Sequence, residues 1–556
     1  MRREPLWRDR GIVALIAILS SIAGIANGFV FDDIPQVAEN ARVQGLGRIG
    51  EILTSPYWPP PFAPELYRPV ASITVAIQYV LGAGQPEIFR VVSYLLYALT
   101  AIGVFELGRR VMPRPIALGL AVLFAADPVH VEAVALAVNQ GELIVACAAT
   151  SCVIVYLDRR RTDAGALSLR DWVTLCALFA VGALAKENGF VIPGLIVVAE
   201  LCLVNASSVR ARARTTWKGY ASMAVVGLVL LATRAAVLSG NVTGALPAKA
   251  IAGLSLAGRL LTMLQIVPRW VRLFVWPAHL QIDYSPNEIV ASTRFGAYEM
   301  LGLALLVAFV AIAWLARRRA PVVTFGLAFC AVALFPVSNI VPTGIVLAER
   351  TLFLPSVGFL IAIGGAVAFA LSSAKASTIN ATRGLVALCA GFVVLGAVRS
   401  DNRQLTWRNG QAMWAAAAVD APKSLRVKQA HDEAVADLVR DFEREAQQSP
   451  TPWRVQFQLG TLLRFMNADS AAMTQLRTSL ASHAEQQDAA LELSATLISV
   501  GNYAEAKLVA EAINSTGDTA RVAQRFVQLA DSASTAHSPP GSVRIIARQA
   551  LAGGAK

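Results

Sequence analysis

Two adjacent carboxylates, Asp32 and Asp33, directly follow the first long apolar segment of the chain, residues 11–31. Ionisable groups at the edge of a bilayer are costly, so they are candidates for a functional site. A carboxylate in this position can take a proton from a hydroxyl group and so act as a general base. The alternative is a solvated pair that only ends a helix.

Further polar side chains border the apolar segments in the same way, and we predict that they share one face of the membrane. Lys would hold a phosphate group as a point charge, whereas Arg would offer two parallel hydrogen bonds. In Lys186-Glu187 and Glu349-Arg350, the alternative is that each charge only satisfies a neighbouring one. The whole set is Asp32, Asp33, Arg68, Asp127, His130, Glu132, Glu142, Lys186, Glu187, Asp283, Tyr284, Glu349 and Arg350.

This set combines a base with several cations, which a hydroxyl nucleophile and a phosphate-bearing leaving group would respectively need. The motif Asp127-Pro-Val-His130-Val-Glu132 also has the spacing of half a metal site. We predict no metal, because neither a cysteine nor a second nearby histidine accompanies it. All six cysteines fall in apolar segments, where we expect them to be buried as small hydrophobic side chains.

The elements that must position these residues are apolar helices. Of the 556 residues, 55% are hydrophobic and 15% are charged, and apolar runs long enough to cross a bilayer recur until about residue 400. We therefore predict an all-α, polytopic membrane protein of about eleven transmembrane helices. The expected spans are residues 11–31, 88–108, 115–132, 140–157, 172–186, 189–205, 219–238, 298–316, 321–341, 352–372 and 384–399.

Clusters of arginine between the apolar runs indicate the orientation, because cytoplasmic loops carry an excess of positive charge. The clusters place the N-terminus in the cytoplasm and, with an odd number of spans, the C-terminal part outside. This distribution explains the net charge of +12 without nucleic-acid binding. The clusters comprise Arg2, Arg3, Arg8 and Arg10; Arg109, Arg110 and Arg114; Arg159, Arg160 and Arg161; Arg210, Arg212 and Arg214; and Arg317, Arg318 and Arg319.

Two external loops are long, residues 32–87 and 239–297. The first holds prolines and aromatic residues around Tyr57 and Trp58, and such aromatics suit the membrane interface. In the second loop, residues 261–277 form an apolar stretch broken by charges, which predicts an interfacial or re-entrant helix.

Two domains are expected: a membrane domain at residues 1–400 and an external α-helical domain at residues 401–556. In the second, residues 457–463 and 491–497 align at an offset of about 34 residues, the period of a tetratricopeptide repeat (TPR). The alternative for this tail is an unrelated helical bundle.

Six short motifs in a consistent order resemble the transmembrane and tetratricopeptide-repeat-containing O-mannosyltransferases, integral-membrane glycosyltransferases of the GT-C class. The resemblance implies a GT-C-like fold, an inverting sugar transfer from a polyprenyl-phosphate carrier, Asp32 as the base, phosphate contacts at Lys186 and Arg350, and no cofactor. The motifs are Phe31-Asp32-Asp33, Tyr67-Arg68-Pro69-Val70, Pro128-Val129-His130-Val131-Glu132-Ala133-Val134, Ala185-Lys186-Glu187, Ile282-Asp283-Tyr284-Ser285 and Ala348-Glu349-Arg350-Thr351-Leu352-Phe353-Leu354-Pro355-Ser356.

The chain also departs from the pattern of that family. It has Asp127 where the family usually has His, and Asn139-Gln140 where the family usually has Gly-Arg. The missing arginine puts one phosphate or sugar contact in doubt, and the tail has fewer recognisable repeats.

We therefore predict a membrane glycosyltransferase that moves mannose or another hexose from a polyprenyl-phosphate carrier to a hydroxyl of a protein or glycan. The expected location is a bacterial inner membrane, with the site on the periplasmic face. The catalytic residues would be Asp32 and Asp33, and the other members of the polar set apart from Asp127 would bind substrate. The alternatives are a flippase for lipid-linked sugars, which would need polar residues at both faces, and a non-catalytic assembly protein with a TPR-like tail.

Overall fold

The computed structural model of the chain describes residues 6–160, 166–205, 208–240, 247–284, 287–373, 378–536 and 543–551, except for 545 and 548. These residues form helices and connecting loops without a β-strand, which confirms the all-α prediction. The chain divides into two compact units, Met1–Met413 and Trp414–Lys556. Arg2, Arg3, Arg161 and Ser285 lie outside the described residues.

Sixteen α-helices precede the second unit. They are α1 (Leu6–Leu19), α2 (Ile49–Thr54), α3 (Pro69–Leu81), α4 (Pro86–Val111), α5 (Arg114–Ala125), α6 (Val131–Ala135), α7 (Gln140–Arg160), α8 (Leu169–Ala185), α9 (Ile192–Leu203), α10 (Val209–Val237), α11 (Leu256–Leu264), α12 (Val267–Val275), α13 (Ala297–Arg319), α14 (Pro321–Leu334), α15 (Phe353–Ser373) and α16 (Thr378–Gln404).

Six helices of the described chain are long and apolar enough to cross a membrane, and a seventh span results if the bent pair α5–α6 counts as one. They establish a multi-pass membrane protein. Each expected span coincides at least partly with a helix, but several of these helices are too short, so the number eleven is not confirmed. The six segments are Pro86–Val111, Ala137–Arg160, Arg210–Val237, Ala297–Arg319, Glu349–Ser373 and Arg383–Trp407.

The first expected span is shorter than its apolar sequence. Helix α1 ends at Leu19, and a 3₁₀ turn, Ile22–Gly24, follows it. A Cβ atom on Gly24 would lie 2.8 Å from the side-chain oxygen of Gln404 and 2.9 Å from the Tyr94 hydroxyl. Beyond this turn, Asn27 donates to the Gln404 carbonyl at 2.7 Å and Asp33 pairs with Arg90 at 3.3 Å, so residues 25–33 pack against α16 and α4 instead of continuing the helix.

Small residues also bring α14 and α15 together. A Cβ atom on Gly326 would lie 2.3 Å from the Ala362 nitrogen, and one on Gly358 would lie 2.5 Å from the Cys330 nitrogen. Close backbone approach of this kind is the main source of helix association in lipid, where apolar side chains gain little by leaving the solvent. By contrast, the apolar windows of α10, α13 and α16 are only 11% buried, so these helices face the lipid.

The arginine clusters meet at one end of the helices. Arg10 pairs with Glu106 at 2.8 Å, Arg114 with Asp9 at 2.6 Å and Arg110 with Asp158 at 2.7 Å. These pairs join the ends of α1, α4, α5 and α7. Clusters that were expected on one side of the membrane are therefore brought together in the fold.

Residues 261–277 form the end of α11 and the whole of α12, with a break at residues 265–266. Val267, Trp270 and Leu273 are buried, whereas Val271 and Val275 are exposed. The segment is thus a broken amphipathic helix, as an interfacial element requires.

The second unit consists of paired helices. The aligned residues 457–463 and 491–497 lie in α19 and α21, and each helix packs against the one that follows it. Gly501 ends α21 with a φ of 83°, and the Ser494 hydroxyl donates to the Ala506 carbonyl at 2.9 Å. The helices are α17 (Gly410–Asp420), which contains the boundary, α18 (Leu425–Gln448), α19 (Pro452–Phe465), α20 (Asp469–Ser482), α21 (Gln487–Val500), α22 (Tyr503–Glu511) and α23 (Asp518–Thr535).

Candidate functional site

The second acid of the opening pair, Asp33, is completely buried and fully engaged. Its carboxylate accepts hydrogen bonds from the backbone nitrogens of Ala137 at 3.1 Å and Val138 at 2.9 Å, and from Arg90 at 3.3 Å. Burial raises the pKa of Asp33, against the lowering effect of Arg90 and the two backbone donors. This side chain fixes the loop to the segment just before α7, and its burial keeps it out of contact with solvent.

Arg90 completes this arrangement from within α4. The guanidinium donates to the carbonyl oxygens of Gly28 at 2.6 Å, of Asn27 at 3.4 Å and of Ala135. A buried arginine with four oxygen partners holds together three segments that are distant in sequence. The sequence analysis missed Arg90, although a lone charge inside an apolar segment was a usable signal.

The first acid, Asp32, is more exposed than Asp33 and its carboxylate is not engaged in the same way. It is half-buried, and within the described chain its carboxylate has no ion-pair or hydrogen-bond partner. The preceding residue, Phe31, has a left-handed φ of 54°, and a π-helical turn, Ile34–Ala38, follows. An unusual backbone held in place by the buried Asp33 thus presents one carboxylate that is available for chemistry.

Glu132 and Arg350 form the first of three ion pairs near Asp32. The two side chains are in direct contact, and the Arg350 backbone nitrogen donates to Glu132 at 2.8 Å. Asp32 and Glu142 also lie within electrostatic reach of the Arg350 guanidinium. Glu132, on α6, therefore holds Arg350 in position through both its side chain and its backbone nitrogen.

Lys186 and Glu142 form the second pair, with 2.8 Å between Nζ and Oε1. Asn188 donates to the other oxygen of Glu142 at 2.5 Å. The ammonium group of Lys186 lies within electrostatic reach of both Arg68 and Arg350, so the cations of the three pairs are neighbours.

Glu187 accepts from two arginines, at 2.7 Å from Arg68 and at 2.9 Å from Arg234. Burial opposes ionisation of this carboxyl, but the two guanidinium groups overcome that effect and hold its pKa at about 2. Glu187 therefore stays ionised and is no candidate for the general base. Arg234, on α10, was missed in the sequence, although it too is a lone charge in an apolar run.

Two of the three pairs share an asymmetry. The side chains of Lys186 and Arg350 are 13% and 16% exposed, whereas their partner carboxylates, on Glu142 and Glu132, are only 2% and 3% exposed. In the third pair the order is reversed, because Arg68 is 14% exposed and Glu187 is 27% exposed. Lys186 and Arg350 are thus the more accessible members of their pairs and can contact an anion while keeping their partners.

These residues lie at the opposite end of the helices from the arginine clusters. Glu142 begins α7 while Arg159 and Arg160 end it, and a helix of that length extends for roughly 30 Å. In α4, Arg90 likewise lies near the beginning of the helix and Arg109 lies near its end. The fold therefore brings Asp32, Arg68, Glu132, Glu142, Lys186, Glu187 and Arg350 to one end of the bundle.

The remaining members of the predicted set lie elsewhere. Tyr284 donates to Glu349 at 2.8 Å, and the Gln281 nitrogen donates to the same oxygen at 2.6 Å, so this acid fastens the loop between α12 and α13 to the residues just before α15. Asp283, beside Tyr284, is half-buried. Glu349 is close enough to Glu132 for the two charges to interact.

His130 is buried among aromatic rings. Its Nε2 atom is 2.9 Å from the Ser356 hydroxyl, and its Nδ1 atom is 3.1 Å from Tyr97 and 3.0 Å from the Phe124 carbonyl. Asp127 caps the short turn before it. Glu132 contacts Arg350, so Asp127, His130 and Glu132, the residues of the suggested half-site, each have a different partner. The described chain contains no group of three side chains that could hold a metal ion.

Gln140 takes part in another buried polar contact. Gln78 and Gln140 donate to one another at 2.7 and 2.8 Å, and Gln140 also reaches the Phe89 carbonyl at 3.1 Å. Gln140, at the position where the family that the motifs resemble usually has arginine, is thus part of a pair of amide side chains.

Comparisons with known proteins find similar sequences over most of this chain. A family model described as dolichyl-phosphate-mannose-protein mannosyltransferase matches residues 67–236, a range that contains Arg68, Glu132, Glu142, Lys186 and Glu187. The protein O-mannosyl-transferase TMTC4 of Mus musculus is 25% identical over 475 residues, which cover 76% of this chain and 63% of the relative. TMTC3 of the same organism is 23% identical over 70% of this chain and 45% of its own length.

One solved structure also matches, a crystal structure of the Archaeoglobus fulgidus oligosaccharyltransferase tethered to an acceptor peptide. The TM-score is 0.43 at 15% identity, covering 77% of this chain and 59% of that one. This chain spans less than two thirds of the length of the curated relatives named above. The resemblance expected from the ordered motifs is confirmed: over about three quarters of its length, this chain is similar to the protein O-mannosyltransferases.

Proposed function

We propose that this protein is an inverting glycosyltransferase of the GT-C type that uses a hexosyl polyprenyl phosphate as donor. The observation that carries the proposal is one available carboxylate, Asp32, near three partly exposed cations, of which Lys186 and Arg350 have partner acids that are more deeply buried. A phosphate needs such cations, and an acceptor hydroxyl needs such a base. The sugar would be mannose or another hexose, and the acceptor a protein or a glycan.

In the proposed reaction, the acceptor hydroxyl loses its proton to Asp32 as its oxygen attacks the anomeric carbon. The bond between that carbon and the phosphate oxygen breaks, and its electron pair passes to the phosphate. Lys186, Arg350 and Arg68 stabilise the charge of the departing lipid phosphate. Attack from the side opposite to the leaving group inverts the configuration at the anomeric carbon.

The proposed setting is a bacterial inner membrane, with the site and the C-terminal unit on the periplasmic face. The arginine clusters at the other end of the helices support this orientation, because positive residues stay in the cytoplasm. The TPR-like tail would then share a compartment with the acceptor.

The test is Asp32→Asn in membranes supplied with labelled hexosyl polyprenyl phosphate and an exported acceptor. We expect transfer to fall by at least about 100-fold, the usual contribution of a general base. Asp33→Asn is the matched variant, and we expect it to impair folding as well as transfer. Undiminished transfer by Asp32→Asn at normal expression would contradict the proposal.

A lipid-linked-sugar flippase is the main competing function. Purified protein in liposomes would distinguish it, because a flippase moves the labelled lipid between leaflets without any acceptor and needs no Asp32. Transfer that depends on the acceptor and on Asp32 supports the enzyme.

A further inference from the structure

A buried phenol lies within the charged site without a hydrogen-bond partner. Tyr57 is 7% exposed, and within the described chain its hydroxyl makes no hydrogen bond. The fully buried polar atoms of the described chain that lack a partner include the Tyr94 hydroxyl but not the Tyr57 hydroxyl, so a ligand can reach the latter. This tyrosine belongs to the aromatic residues of the first long loop, and its side chain packs beside Arg68.

The position of the ring is fixed from several sides. The guanidinium carbon of Arg68 lies 5.0 Å from the centre of the ring, and Trp58 packs edge-on at 5.6 Å. The Tyr57 backbone nitrogen donates to the Leu66 carbonyl at 2.8 Å, and the Tyr57 carbonyl accepts from Gln36 at 3.2 Å. The side chain is thus held in place before any ligand arrives, as a binding group should be.

The charges around the hydroxyl indicate what it faces. Arg68, Asp32 and Glu187 all lie within electrostatic reach of it. In the proposed reaction, the transferred sugar must lie between the base Asp32 and the cations that hold the phosphate. A group within reach of both Asp32 and Arg68 lies beside that sugar.

Resting on the proposed function, we propose that the Tyr57 hydroxyl hydrogen-bonds an oxygen of the transferred hexose and so helps to select the sugar. Burial raises the pKa of Tyr57, so the phenol keeps its proton and can donate it. The phosphate does not require this neutral donor, because three cations already face it.

The experiment compares two lipids on the purified full-length protein: a hexosyl polyprenyl phosphate and the same polyprenyl phosphate without sugar. Tyr57→Phe removes only the hydroxyl and keeps the ring that Arg68 and Trp58 contact. We expect about three- to tenfold weaker binding of the hexosyl lipid, the value of one hydrogen bond, and unchanged binding of the bare phosphate lipid.

Tyr67→Phe is the matched control, because its hydroxyl donates to the Leu53 carbonyl at 2.8 Å within the same loop. We expect that change to lower the thermal unfolding midpoint without discriminating between the lipids. Equal losses for both lipids in Tyr57→Phe, or no loss for either, would overturn the proposal for Tyr57 alone. Wild-type protein that binds neither lipid would overturn the proposed donor and this assignment with it.

Deoxy donors, each lacking one sugar hydroxyl, locate the contact. Wild-type protein should lose affinity for one of them by the same factor, and Tyr57→Phe should lose nothing further with that donor, because coupled groups are not additive. Additive losses with every deoxy donor would show that Tyr57 touches no sugar hydroxyl.

Discussion

Arg90 and Asp33 meet inside the protein with 3.3 Å between Nη2 and Oδ2, and their side chains are 1% and 0% exposed. The pair connects the beginning of the loop at residues 32–87 to α4, one residue away from the available carboxylate of Asp32. Through further bonds to residues 27, 28, 135, 137 and 138, it fixes the start of this loop against α4 and the segment before α7.

Arg90→Met should destabilise the protein strongly. Removing one member of a buried pair leaves the other charge uncompensated, which costs about 3–5 kcal/mol. The measurement is the thermal unfolding midpoint in detergent. Arg10→Met, which breaks an exposed pair with Glu106, should cost under about 1 kcal/mol. Equal midpoints for the two variants would show that Arg90 is not structural.

Arg350→Lys should reduce kcat/KM for the lipid donor by about 10- to 100-fold. Lysine keeps the charge but loses the planar fork that contacts Glu132 and an anion at once. Arg259→Lys is the control, since within the described residues the Arg259 side chain donates hydrogen bonds only to the carbonyls of Leu254, Asn339 and Ile340. A similar loss in both variants would point to general damage.

Glu187 should make the stability of the fold depend on pH in the acidic range. Its pKa in the folded protein is about 2, below its ordinary value of 4.5, so it stabilises the fold above pH 4.5. That contribution is lost as the pH falls from 4.5 towards 2. The unfolding midpoint of the wild type should therefore fall more steeply over this range than that of Glu187→Gln. Parallel curves would mean that Arg68 and Arg234 do not hold the carboxylate.

Gly326→Ala should loosen the contact between α14 and α15. The added Cβ atom would lie 2.3 Å from the Ala362 nitrogen, and relief of such a clash costs about 1–3 kcal/mol. Gly391→Ala, on α16, meets nothing within 4 Å and should be neutral or slightly stabilising. The comparison of the two unfolding midpoints tests how closely α14 and α15 pack at Gly326.

The sequence predicted the helical class, and it singled out polar residues that the fold brings to one end of the helices, because apolar length and isolated charges are local signals. It could not predict that Glu132 pairs with Arg350, which is 218 residues away, or that Asp33 is buried while Asp32 is available. Those outcomes depend on how distant helices pack. The number of spans could not be predicted either, since α1 ends at Leu19 although the apolar sequence continues to residue 31.

The pairing of the site has a consequence for which anions it attracts. Four cations, on Arg68, Lys186, Arg234 and Arg350, accompany four carboxylates, on Asp32, Glu132, Glu142 and Glu187, so the formal charges cancel. A neutral cluster produces little long-range field, and salt screens what remains beyond about 10 Å. The cluster therefore does not raise the local concentration of free phosphate or nucleotides. An anion is recognised only once it is in contact, which favours a ligand that its own lipid chain delivers along the membrane.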